Sequence, residues 1–332
     1  MQAGNLPIFS AENVGVRVKK GLVFCILLLL VVGCSKSPGI SMWKEGEKIR
    51  VLSTTAMIDD LVAKIGGDFV DSIPLITGEI DPHSYELVKG DDEKISSAQI
   101  VIANGLNLEH GASLNYQLKK HLHSLYLAEE IRKRVPEKIL VTEGEVDPHV
   151  WMDISLWAEG IEPIVHILSV IDPENAPIYE ANGAILYQKM LLEHEQLKES
   201  MQSVPANRRY LVTSHDAFHY FAKAYLAEGK IWEDRCVAPE GLAPEGQLSS
   251  RDIQRVIDHL CEYEISVVFP ESNVSRDALR KIVASCKTKG LVVRISSTPL
   301  YGDAMGSPGS GADHYLGMIA HNAKVLEQEW MQ

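Results

Sequence analysis

Residues 174–203 read ENAPIYEANGAILYQKMLLEHEQLKESMQS. After Pro177 the stretch contains no proline, and Ile178, Ala181, Ile185 and Leu192 recur at helical spacing. Glu180, Lys189, Glu193, Glu195, Lys198 and Glu199 supply a polar face. The pattern predicts one helix over 174–203, or else two helices broken near the middle. Unbroken, it would reach roughly 40 Å at about 1.5 Å per residue. That exceeds what one small domain needs, and its natural use is to join two lobes.

The flanking segments support this division. Before the helix, the strand-like runs Ile49–Leu52, Val70–Ile76, Ile100–Ala103 and Lys138–Thr142 alternate with helical runs at 56–65, 91–97 and 114–122, and a further helix is expected over 154–168. After it come the strand-like runs Arg209–Thr213, Lys230–Val237, Ile265–Phe269 and Leu291–Ile295. Helices are expected from Ser214-His215 to Leu226 and over 251–263, 276–287 and 313–329. Short apolar strands alternating with helices mean parallel sheets covered on both faces. The expected fold is α/β, with two (β/α)4 lobes at 49–170 and 207–332 joined by the rigid helix 174–203. At 332 residues the chain is long enough for two cores.

The N-terminus predicts export. Arg17, Lys19 and Lys20 precede the apolar run Leu22–Val32, which is short for a transmembrane helix and ends in a small residue. Residues 1–33 therefore read as a signal peptide and 34–48 as a tether. Val31-Val32-Gly33-Cys34 resembles a bacterial lipobox, in which Cys34 would carry a lipid; an ordinary cleaved signal is the alternative. Cys25 lies inside the signal, leaving Cys236, Cys261 and Cys286. Cys261 and Cys286 end helices that flank one strand, so a disulfide between them is an expectation of the pattern. A net charge of -13 argues against nucleic acid as a partner.

The tripeptide Asp-Pro-His occurs twice, at 81–83 and 147–149. Proline holds the preceding Asp in extended or turn geometry, so each His projects from a stiff loop beyond a predicted strand. Ligands of open α/β sheets sit beyond the carboxyl ends of strands. His83, His149, His215 and Asp303 all have that placement, two in each lobe. Three imidazoles and a carboxylate suit zinc, manganese or iron and not calcium or magnesium. His215 is expected at a helix N-terminus, where the dipole would lower its pKa. His219, one turn later, could approach the ion but reads better as packing on the lobe. His110, His121, His123, His166, His194 and His259 sit within or beside predicted helices and read as surface or core residues.

Four stretches, Asp81-Pro82-His83-Ser84-Tyr85-Glu86, Asp147 to Asp153, Thr213 to Phe218 and Leu300 to Gly306, resemble in sequence and order the solute-binding proteins of bacterial zinc/manganese/iron import ABC transporters, above all their chlamydial branch. The resemblance runs from Ile49 onward. It implies a monomeric, periplasmic or lipid-anchored protein that captures one divalent transition metal in the cleft between its lobes and passes it to a membrane permease. Carried over by motif, the ligands fall on His83, His149, His215 and Asp303. Some manganese-selective members have Glu where His215 stands. Many zinc-selective members carry a long His- and acid-rich loop, where this chain's Gly105–Lys138 holds only His110, His121 and His123. The competing readings are a secreted metal-dependent hydrolase and an adhesin with an incidental metal. A catalytic metal site keeps an open position and a nearby base, and no H-E-x-x-H motif is present.

Overall fold

The computed structural model describes residues 48–142, 144–244 and 248–332, together with residues 1, 43 and 46. The expected signal segment and tether, with Cys25 and Cys34, otherwise lie outside the described residues. Residues 45–332 form one compact unit.

Its first half is built on four parallel strands, β1 (Ile49–Ser53), β2 (Val70–Pro74), β3 (Ile100–Ala103) and β4 (Ser124–Tyr126), in the order β2-β1-β3-β4. Ile49 pairs with Val70, Val51 with Ile100 and Val101 with Ser124. Every side chain of β3 is buried, as an unbroken apolar strand covered on both faces requires. Helix α1 (Ala56–Gly66) follows β1 and buries Met57, Ile58, Leu61, Val62 and Ile65. It stops where Gly67 takes φ 53° with ψ -131°, a positive-φ conformation that glycine adopts without a Cβ penalty. Helices α2 (Asp91–Ser97), α3 (Ala112–Lys120) and α4 (Leu127–Arg134) complete this half.

Two expectations fail here. The fourth parallel strand is β4, not 138–142; instead β5 (Val141–Thr142) pairs antiparallel with β6 (Glu145–Val146) as a hairpin before the second Asp-Pro-His. β4 is half-polar and three residues long, so it carries little periodic signal. The helix expected over 154–168 is two, α5 (Ile154–Ala158) and α6 (Ile161–Ile171), divided at Glu159-Gly160.

The long helix is real. Helix α7 (Ala176–Ser203) is 28 residues long, with Pro177 in its first turn. It packs against α1, α5 and α6 on one side of the molecule and against the segment 222–226 in the other half. The face it buries is not the expected one. Tyr179, Gly183, Leu186, Met190, Leu197 and Met201 are buried, while Ile185 and Leu192 are 70% and 59% exposed. Gly183 explains the choice: a Cβ there would crowd Val165 of α6, so the bare glycine face is the one that permits the close approach.

In the second half β7 (Leu211–Val212) pairs parallel with β8 (Cys236–Val237), and β9 (Val267–Val268) with β10 (Arg294–Ile295). The Phe269 N–H donates to the Val212 carbonyl at 2.8 Å and joins the two pairs in the order β8-β7-β9-β10. These strands are shorter than the sequence predicted. Helices α8 (Ser250–Glu262) and α9 (Asp277–Thr288) cover this sheet, and α10 (Tyr315–Trp330) closes the chain. The helix after His215 starts late, at His219, and continues as a π-helix over Ala222–Leu226. His215 therefore stands in an extended segment bridged to Glu240, not at a helix N-terminus.

Candidate metal centre

The two Asp-Pro-His tripeptides fold alike. Asp81 Oδ1 accepts the His83 N–H at 2.9 Å, and Asp147 Oδ1 accepts the His149 N–H at 2.9 Å. This turn, in which an Asp side chain caps the backbone two residues on, is what Asp before Pro favours. The His83 carbonyl accepts the N–H groups of His110 and Gly111, and a Cβ at Gly111 would overlap the Tyr85 carbonyl. Behind this contact the buried Glu109 carboxylate accepts from the Thr54 hydroxyl and from the N–H groups of Asn104 and Gly105. The first His loop is thus held from both sides.

Asp303 is held by a different route. The Tyr301 N–H donates to Asn322 of α10 at 2.9 Å, and Asn322 donates back to the Tyr301 carbonyl at 2.8 Å. The Gly302 carbonyl accepts the Trp151 indole N–H at 3.0 Å. That bond ties the Asp303 loop of the second half to the His149 loop of the first.

These loops bring His83, His149, His215 and Asp303 together, with one nitrogen or oxygen of each within 4.8 Å of all the others. His83 Nε2 is 3.2 Å from His149 Nε2, and Asp303 Oδ2 is 3.1 Å from His215 Nε2. All four side chains are buried. Asp303 Oδ1 and Oδ2 and the Nε2 of His215 lie out of water at ion-pair distances but without aligned hydrogen bonds. Buried polar atoms in that state are what a bound cation satisfies. Four N and O donors of intermediate softness fit a first-row transition ion.

Two carboxylates that the sequence reading did not single out stand behind the imidazoles. Asp147 Oδ1 lies 2.8 Å from His149 Nδ1, and its Oδ2 is 3.1 Å from His219 Nδ1. His219 thus acts through Asp147 and does not join the cluster, in keeping with its expected packing role. Glu271, immediately beyond β9, accepts the N–H groups of Ser214 and His215 on Oε1 and places Oε2 2.8 Å from His215 Nδ1. A carboxylate on the far nitrogen orients a metal-binding imidazole and raises its basicity. The available signal for Glu271 was its place after a buried strand, the criterion that had selected His215 and Asp303.

The charges are strongly coupled. Burial drives the His83 pKa down to about 3. Burial also lowers that of His215, but the Glu271 and Asp303 carboxylates outweigh it and hold the ring well above its ordinary value. The downward shift expected from a helix dipole is reversed, because the helix starts four residues later and two carboxylates face the ring. Burial pushes Asp303 up, yet His215, followed by His149 and His83, brings it well below the carboxylate range. Asp147 is likewise held low by His149 and His219 against its burial.

With this geometry in place, comparison with known proteins is decisive. Residues 51–329 match the family described as zinc-uptake complex component A, periplasmic. The chain belongs to this family. It is 37% identical over 313 residues to the metal-binding protein YtgA of Chlamydia pneumoniae, covering 92% of this chain and 93% of that one. It is 31% identical to the manganese-binding lipoprotein MntA of Bacillus subtilis, over 93% of this chain and 98% of the relative. The crystal structure of Fe(III)-bound YtgA from Chlamydia trachomatis superposes with a TM-score of 0.80 at 36% identity, covering 85% of this chain and 98% of the other. The two-lobed α/β architecture of the family's solute-binding proteins is the fold of this chain.

Cys261 and Cys286 are free thiols on the adjacent helices α8 and α9, and Cys236 is free and buried. The expected disulfide is not formed in this structure.

Proposed function

We propose that this chain is the extracytoplasmic solute-binding component of a metal-import ABC transporter. It captures one transition-metal ion as cargo, divalent iron, manganese or zinc, in the cage formed by His83, His149, His215 and Asp303, and delivers it to the membrane permease. The observation that carries this reading is the convergence of four buried donors from four separate loops, two on either side of α7. A cage assembled from both halves ties ion occupancy to the relative placement of the halves, which a permease can sense. Lobes at 49–170 and 207–332 with the helix 174–203 between them are the organisation this requires.

Family membership favours the carrier reading over the hydrolase. The near-complete enclosure of all four donors points the same way, since a hydrolytic metal keeps a position open to substrate. Attachment through a lipid on Cys34 fits the naming of MntA as a lipoprotein. Release as a monomer after ordinary signal cleavage is the alternative.

The test is metal content and affinity. Protein purified from its native compartment should hold one equivalent of transition metal by plasma mass spectrometry, and deleting the chain should abolish metal uptake. A metal-free native protein with undiminished uptake in the deletion strain would overturn the reading.

A further inference from the structure

The hairpin that leads into the second Asp-Pro-His is closed by a residue from the other half of the chain. Val141 pairs with Val146 and Thr142 with Glu145, so the next rung of this antiparallel ladder falls between Leu140 and Asp147. A hydrogen-bonded pair there exchanges two backbone bonds. One is made: the Asp147 N–H donates to the Leu140 carbonyl at 3.0 Å. In place of the other stands the Tyr220 hydroxyl, which accepts the Leu140 N–H at 3.0 Å and donates to the Asp147 carbonyl at 3.0 Å. A phenol, donor and acceptor at once, completes the rung.

The same segment of the second half grips the loop at other points. His219, one residue before Tyr220, meets the Asp147 carboxylate, and the Tyr225 hydroxyl accepts the Ile154 N–H at 3.0 Å. Five residues apart on an α-helix, Tyr220 and Tyr225 would point about 140° from each other. The wider π-helical turn over Ala222–Leu226 brings both hydroxyls onto one loop. Tyr315 of α10 holds the middle of that loop, donating to the Trp151 carbonyl at 2.7 Å. All three tyrosines are buried. Asp147 in turn holds His149 twice, by its N–H and by its Nδ1. The line of contact runs from the segment after His215, through Tyr220 and Asp147, to His149.

We propose that Tyr220 is a positioning residue for metal capture: spliced into the β5–β6 hairpin, it fixes Asp147, and through it His149, against the second half, so that His149 and His215 stand together before an ion arrives. This role rests on the carrier reading above. Without the hydroxyl, the Leu140 N–H and the Asp147 carbonyl are left to pair with each other, which draws Asp147 away from the second half.

The experiment is calorimetric titration of Tyr220→Phe with zinc(II) alone. The variant should bind about tenfold more weakly, the lower end of the loss for groups that orient metal ligands. A purely structural hydroxyl would lower the stability of the empty and loaded protein alike and leave Kd unchanged. Tyr179→Phe is the control for that case: it removes a buried hydroxyl that donates to Asp172 at 2.7 Å in the first turn of α7, and should keep the wild-type Kd. In a His149→Ala background, where the imidazole to be positioned is gone, Tyr220→Phe should change Kd by less than about twofold. The wild type supplies a measurement that needs no variant to fold: its Leu140 amide should be equally protected from hydrogen exchange with and without zinc(II). A wild-type Kd in Tyr220→Phe, an undiminished loss in the His149→Ala background, or Leu140 protection that arises only with zinc(II) would overturn the positioning role. A wild-type protein that bound no zinc(II), manganese(II) or iron(II) would instead overturn the carrier reading itself.

Discussion

Replacing Glu271 by Gln isolates what a buried carboxylate behind a metal-binding imidazole contributes. Gln keeps the volume, and its carbonyl oxygen can still accept the Ser214 and His215 N–H groups now held at 3.0 and 2.9 Å. What disappears is the negative charge 2.8 Å from His215 Nδ1. Loss of such a partner weakens metal affinity by about 10–100-fold, or about 1.4–2.8 kcal/mol at about 1.4 kcal/mol per tenfold. The loss should also vary with pH. In the metal-free protein the His215 pKa is held well above its ordinary value, first by Glu271 and then by Asp303, against the effect of burial. Binding must displace the imidazolium proton. Because the folded pKa is raised, competition is full below it and ends only as pH rises through it. Wild-type affinity should thus climb as pH rises through that raised pKa, with proton release on binding. His83, already pushed to about 3, adds no competition there. This replaces the flat profile above pH 7, with a multi-proton collapse between pH 6 and 5, that free imidazoles would give. In Glu271→Gln the larger upward influence on His215 is gone. Its slope should flatten, and its deficit against wild type should shrink as pH falls. Isothermal titration calorimetry at several pH values, in buffers of differing ionisation enthalpy, measures affinity and proton release together. Wild-type affinity in the variant, or a weakened affinity with undiminished proton release, would refute the assignment of Glu271.

Asp303→Ala removes the one carboxylate inside the cage and should weaken binding by at least about 100-fold, above the range for outer partners, while circular dichroism of the apo protein stays unchanged; unaltered affinity by calorimetry would remove Asp303 from the site. Gly111→Ala drives a methyl into the Tyr85 main-chain carbonyl and should cost about 1–3 kcal/mol of stability, read as a lowered Tm; an unshifted Tm would show that the first His loop is softer than its hydrogen bonds suggest. Because α7 packs along its length on elements of both halves, metal loading should produce a small tilt and not wide closure, and strong compaction by small-angle scattering would contradict this. Among Cys236, Cys261 and Cys286, native alkylation should modify Cys261 alone, since the other two are buried with thiol pKa values pushed up by burial; rapid labelling of Cys236 would show that the core around β8 opens.

The sequence by itself determined the α/β class and the long helix, and it named the four residues that the fold brings together. These rest on local signals: unbroken apolar strands, an uninterrupted helical period in 174–203, stiff Asp-Pro-His loops for His83 and His149, and, for His215 and Asp303, a place just beyond a predicted strand within a family motif. Tertiary structure decided what local signals leave degenerate. Helix α7 has apolar residues on two faces, and packing buries the one on which Gly183 leaves room for Val165. The fourth strand went to residues 124–126, not to the more apolar 138–142, because pairing with β3 outweighs intrinsic preference in so short a segment. The protonation of His215 was read with the wrong sign. Its pKa depends on Glu271, 56 residues away in sequence, and on Asp303, 88 residues away, and no local pattern encodes a charge that arrives by folding. The places of the Asp147 and Glu271 carboxylates behind their imidazoles likewise exist only once the loops meet.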